Sequence, residues 1–189
     1  MKKSISILLF VLVQCSLSAQ VPPEWVRFFN GTDDWHDMGT SVATDDEGNV
    51  YVGGVTVKYS TNTSDYLIIK YNPAGEQLWY QTYNGAGNYE DMVTAIAVDD
   101  VGDVYLTGAS DQGATDKDFV TQKYTSGGSL VWTGIYSGLG QDDTAWARDI
   151  EVGDDGYVYV TGSSAGYSSS MWTDFATIKY SASGDTIWT

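Results

Sequence analysis

The sequence predicts an all-β chain assembled from repeated four-stranded units, and three observations carry that reading. First, identical punctuation returns after 54 residues: Gly48, Gly102 and Gly156, with Tyr51, Tyr105, Tyr159 and Gly54, Gly108, Gly162 in step. A period of this size marks an array of supersecondary units, each too small to bury its own faces. Second, every period holds four short β-rich runs separated by Gly, Asp, Asn and Ser. Third, no stretch sustains a helical period between cap signals.

Taken in order, the chain opens with Lys2 and Lys3, continues through the apolar run from Ile5 to Val13, and reaches Ser16, Ser18 and Ala19. That is the layout of a signal peptide, assigned to residues 1–19. The run is too short to span a bilayer, which takes about 20 apolar residues. The chain is therefore expected to be secreted or displayed at the cell surface. Cys15 is the single cysteine and lies in this leader, so residues 20–189 offer no disulfide, thiol nucleophile or thiolate metal site.

Trp25 to Phe29 reads as a lone fourth-strand equivalent. In the middle repeat, Thr94 to Asp99 alternates small and apolar residues, Asp100, Gly102 and Asp103 make a turn, and Val104 to Gly108 resumes the β pattern. Phe119 to Tyr124 supplies a third run, Ser126, Gly127 and Gly128 a second turn, and Leu130 to Tyr136 a fourth run. The other copies follow, giving periods 25–78, 79–131 and 132–187 and the start of a further strand at 188–189. Four strands with two tight turns describe one blade of a β-propeller. Closed propellers hold about four to eight blades. With three, the chain is expected to be a fragment of a larger ring, or to self-associate and so cover two open blade faces.

The recurring Trp25, Trp79, Trp132 and Trp188 are expected to fill the space between adjacent blades. Lys70, Lys123 and Lys179 also recur, and the expectation is that they balance Asp65, Asp118 and Asp174 at the start of the same strand.

The run Asp46-Glu47-Gly48-Asn49-Val50-Tyr51-Val52-Gly53-Gly54, followed by Asp65-Tyr66-Leu67-Ile68-Ile69-Lys70-Tyr71-Asn72-Pro73-Ala74-Gly75-Glu76-Gln77-Leu78-Trp79, resembles the bacterial seven-bladed β-propeller (SBBP) repeat. The match returns in residues 100–108 with 118–132, and in residues 154–162 with 174–188. The resemblance implies a propeller in exported or surface-displayed bacterial proteins. It brings no shared catalytic residues.

Nine Lys and Arg face 25 Asp and Glu, a net charge of −16. Nucleic acid, held chiefly through neutralised phosphates, is an improbable partner for such a chain. The two tight turns of each blade share one side and are uniform. The other side collects what varies: stretches 31–40, 85–93 and 138–148, and loops 57–64, 111–117 and 163–173. Binding residues concentrate on variable loops held by a regular scaffold. The candidate ligand-binding residues there are Trp35, Tyr89, Trp146, Tyr167 and Trp172. The acids Asp33, Asp34, Asp37, Glu90, Asp91, Asp142 and Asp143 are candidate calcium ligands, calcium taking about six to eight oxygens. Their plainer role is to cap turns and solvate loops. No cofactor is called for beyond that possible calcium.

His36 is the sole histidine, so no His-based triad repeats, and no catalytic set is legible. The reading is a non-enzymatic binding or scaffold module for a protein or carbohydrate ligand. Its rival is part of a carbohydrate-active hydrolase or lyase, with a carboxylate such as Asp91 in the chemistry and other catalytic residues outside this fragment.

Overall fold

The computed structural model describes residues 23–31, 36–113, 117–138, 145–165 and 173–189. Among them there is no helix, and twelve strands form three antiparallel four-stranded sheets. The first holds β1 (Asp37–Thr44), β2 (Val50–Lys58), β3 (Thr63–Tyr71) and β4 (Gln77–Tyr83). The second holds β5 (Met92–Val98), β6 (Val104–Asp111), β7 (Lys117–Tyr124) and β8 (Leu130–Tyr136). The third holds β9 (Trp146–Val152), β10 (Val158–Ala165), β11 (Thr173–Tyr180) and β12 (Thr186–Trp188). Each is a meander whose strands pair in sequence order. The sheets stand side by side with β1, β5 and β9 adjacent, and they do not close into a ring.

Alternation along each strand sends side chains to opposite faces, and each inter-sheet core is built from one face of each partner. Tyr51, Tyr66 and Ile68 of the first sheet pack on Ile96, Val104, Leu106 and Val120 of the second. Tyr105 and Phe119, from the second sheet's other face, pack on Ile150, Val158, Val160 and Ile178 of the third. This is why β6 is buried from end to end, while β4 and β8, at the outer edges, are largely exposed. Val42, in step with buried Ile96 and Ile150, is 66% exposed because no sheet lies against its face of β1.

The repeated residues have local causes. Thr40, Thr94 and Arg148 each sit in a β-bulge of the first strand of their sheet, and Gly54, Gly108 and Gly162 lie opposite. A Cβ at these glycines would stand about 2.0–2.1 Å from the carbonyl oxygens of Met38, Met92 and Trp146. Gly75, Gly128 and Gly184 adopt positive φ in the third-to-fourth-strand turns and serve as seats for the indoles of Trp25, Trp79 and Trp132. The indole N–H groups of those tryptophans then donate to the Pro73, Ser126 and Ala182 carbonyls at 3.1, 3.0 and 3.1 Å.

The lysine pairing differs from the expectation. Asp65 is salt-bridged to Lys58 at 2.6 Å, whereas Lys70 lies 3.6 Å from Asp45, and Lys123 lies 3.0 Å from Asp103 and 3.9 Å from Asp99. Asp65 and Lys70 are an odd number of residues apart on one strand, which places them on opposite faces. The same parity separates Asp118 from Lys123 and Asp174 from Lys179.

The inter-sheet cores make the fold sensitive to alkali. Burial pushes the Tyr124 and Tyr180 hydroxyls up to about 12, from about 10 in an unfolded chain. The unfolded chain loses these protons first, so their stabilisation is complete below about pH 10 and is lost as pH rises to about 12. The two together are expected to cost roughly 3 kcal/mol at pH 11. Urea unfolding at pH 9 and pH 11, read beside tyrosinate absorbance, checks this. Equal midpoints at the two pH values would contradict it.

Candidate functional site

One side of the array is uniform. The turn hydrogen bonds from Gly48 N to Asp45 O, Gly102 N to Asp99 O and Gly156 N to Gly153 O span 2.8–3.0 Å. Above them Lys70 lies 4.7 Å from the Tyr51 ring centre and Lys123 lies 4.9 Å from that of Tyr105. Burial pushes the Asp45 carboxyl upward, but hydrogen bonds from Asn49 and Tyr51, with Lys70 nearby, outweigh it and hold the group below its ordinary value. Gly153 stands where Asp45 and Asp99 would recur, and Lys179 turns to the Tyr157 ring at 3.7 Å. These clusters secure turns.

The other side carries the differences. Asp91 is fully buried at the base of loop 84–91, where its Oδ2 accepts the Gly85 N–H at 2.6 Å. Its Oδ1 accepts the Ser110 hydroxyl at 2.6 Å and the Asp111 N–H at 3.0 Å. Burial raises its pKa, opposed by those three bonds. Asp37 repeats the arrangement one period earlier, its Oδ2 accepting the Gly31 N–H at 2.8 Å. Asp91 thus ties loop 84–91 to the end of β6, and Asp37 holds the Gly31 amide. The position is Ala145 in the third period.

Beside Asp91 the chain turns outward. Ser64 N donates to the Tyr89 carbonyl and Asp91 N to the Ser64 carbonyl, so Glu90 is held next to β3 while its side chain remains 71% exposed. Lys117 forms a 2.8 Å ion pair with Glu90, and its hydrogen bond and charge keep the Glu90 carboxyl below its ordinary pKa. The same Lys117 Nζ lies 4.7 Å from the Trp146 ring centre, and the Arg148 guanidinium lies 5.4 Å from it. A half-buried indole flanked by two cations therefore shares one patch with the exposed Glu90 carboxylate, and the exposed Tyr89 is the next residue in the chain. Aromatic rings and Arg are the residues that recognition surfaces are enriched in, and cations stacked on an indole hold its face in place.

Of the candidate residues, the structure links Glu90 to Trp146 through Lys117, with exposed Tyr89 and buried Asp91 on either side of Glu90 in the chain. Asp37 accepts the Gly31 N–H instead. Trp35, Tyr167, Trp172, Asp33, Asp34, Asp142 and Asp143 lie outside the described residues. Among the described residues no group of three or more His, Cys, Asp or Glu is placed to hold a metal ion, and no helix is long and apolar enough to cross a membrane. Lys117 and Arg148 were not singled out from the sequence. Arg148 had a signal, since it stands one period after Thr40 and Thr94, whose hydroxyls donate to the Val93 and Ala147 carbonyls of the next sheet at 2.7 and 2.9 Å. Neither protein-family models nor curated proteins give a match to this chain.

Proposed function

We propose that the chain is an exported β-propeller repeat module of the bacterial SBBP type that binds or scaffolds a protein or carbohydrate ligand at the cell surface or outside the cell. The observation that carries this is the Glu90, Lys117, Trp146 and Arg148 patch, with exposed Tyr89 next to Glu90 in the chain, set on the side where loops differ while the opposite side repeats its turns. Export rests on the basic, apolar and small-residue order of residues 1–19. Asp91, the acid through which a hydrolase or lyase reading would act, has both oxygens taken by three protein donors, which supports binding over chemistry.

The test is a combined array of oligosaccharides and peptides probed with residues 20–189, followed by titration of the best ligand. Tyr89→Ala and Lys117→Ala are each expected to weaken binding about tenfold, equal to about 1.4 kcal/mol, with the melting temperature unchanged. Binding that ignores both changes would remove this patch from the reading. Turnover of an arrayed oligosaccharide would favour the enzyme.

A further inference from the structure

Two bonds in the sequence carry a chemical liability. Asn is followed by Gly at Asn30–Gly31 and at Asn84–Gly85, and the two places stand one period apart. Glycine leaves the preceding asparagine open to attack by the next backbone nitrogen, because no Cβ hinders its approach to the side-chain amide. That nitrogen loses its proton and bonds to Cγ, ammonia leaves, and a five-membered imide forms. Water then opens the ring at either carbonyl, leaving aspartate, or isoaspartate with one extra carbon in the main chain.

The fold requires glycine at both places. A Cβ on Gly85 would meet the Asp111 carbonyl and the Ser110 hydroxyl, and one on Gly31 would meet the Thr56 hydroxyl. The same close packing sets a carboxylate on the nitrogen that would attack. The buried Gly85 N–H donates to Asp91 Oδ2 at 2.6 Å, and the half-buried Gly31 N–H donates to Asp37 Oδ2 at 2.8 Å. Asp91 is itself fixed by the Ser110 hydroxyl and the Asp111 N–H. Asn84 and Asn30 are both exposed, and the Asn84 amide is tethered, its Nδ2 donating to Asn88 Oδ1 at 2.6 Å.

The third period is an internal comparison. Asp91 N donates to the Ser64 carbonyl and Ala145 N to the Lys117 carbonyl, which makes Ala145 the counterpart of Asp91. The residue before glycine is there Ser137, which has no amide to lose. The carboxylate is thus present in the two periods with Asn–Gly and absent from the one with Ser–Gly.

We propose that Asn30 and Asn84 are deamidation sites held silent by Asp37 and Asp91, each carboxylate protecting the asparagine of its own loop. An N–H bonded to an anion gives up its proton reluctantly, because the charge that must appear on nitrogen would face a charge of the same sign. Burial also keeps water, the acceptor of that proton, away from Gly85. Release of the Asp91 lock turns a neutral amide into a charged side chain at the foot of loop 84–91. The isoaspartate product lengthens the backbone that holds Glu90 against Lys117.

Ageing the chain in mildly alkaline buffer, with peptide mass mapping at Asn30 and Asn84, tests this. In the folded parent both sites are expected to convert at least about tenfold more slowly than in the same chain unfolded by guanidinium, since a charge-assisted hydrogen bond must first break. Asp91→Ala, which installs the residue the third period carries, is expected to speed conversion at Asn84 about tenfold and to leave Asn30 at its parent rate, and Asp37→Ala to do the reverse. Each variant therefore carries the other site as its own control. Should an alanine variant speed both sites, as an unfolded chain does, the isosteric Asp91→Asn and Asp37→Asn are read in the same way. Parent rates equal to those in guanidinium overturn the proposal. So does a folded variant whose own site converts no faster than in the parent.

Discussion

Phe119→Ala is expected to destabilise the chain by about 3–5 kcal/mol, while Phe175→Ala, the same change one period later, is expected to stay within about 0.5 kcal/mol in dilute solution. Phe119 is fully buried between the second and third sheets, stacks edge-on with Tyr136, and lies against Gly162 with no room for another atom. Removing its ring leaves a cavity walled by two sheets that are themselves held by strand pairing, so the gap collapses only partly. Phe175 loses no packing of that kind, because its ring faces solvent in a single chain. Urea unfolding of the two variants at low concentration checks the contrast. Equal losses would mean that the third sheet's outer face is covered in the monomer, against the architecture described above.

Gly108→Ala is expected to cost at least about 3 kcal/mol, at the upper end of what overpacking does, because the added carbon meets backbone rather than a side chain that could turn aside. Its position would be 2.0 Å from the Met92 carbonyl oxygen and 2.9 Å from the Val93 Cα, across the bulge at Thr94. Relief requires flattening the bulge, which pulls the Thr94 hydroxyl away from the Ala147 carbonyl and loosens the contact with the third sheet. Gly127→Ala is the control, since a Cβ there meets only the Thr125 hydroxyl at 3.8 Å. Thermal melts that place both variants near the parent would show that the bulge tolerates a side chain.

Much of this fold was legible in the sequence because its period is written in residues with narrow conformational roles. Gly48, Gly102 and Gly156 announce turns of positive φ, and Gly54, Gly108 and Gly162 announce a place where two backbones nearly touch. The tryptophans announce the joint between sheets. Charge pairing was less legible, since opposite signs attract on paper at any spacing. Only strand parity, which puts Asp65 and Lys70 on opposite faces, decides between Asp45 and Asp65 as the partner of Lys70. The candidate patch was half legible. Tyr89, Glu90 and Trp146 stood out as departures from the repeat, but nothing local in the sequence says that Asp91 turns inward to hold a loop while its neighbour Glu90 reaches Lys117 27 residues on.

Among the described residues, the side-chain donors that reach a carbonyl of a neighbouring sheet share a direction. Tyr51, Lys70, Trp79 and Gln81 donate from the first sheet to carbonyls of the second, and Thr94 and Trp132 donate from the second to carbonyls of the third. Each unit therefore carries side-chain donors on its leading face and bare carbonyls on its trailing face, like a connector with a plug at one end and a socket at the other. A gene that gains or loses one whole period leaves every remaining junction chemically matched, because a backbone carbonyl accepts whichever side chain comes before it. A gain or loss of part of a period would set plug against plug. The architecture thus constrains how such a chain lengthens over evolutionary time, in whole units and in one orientation, while the loops on the varying side are left free to change sequence without disturbing the joints.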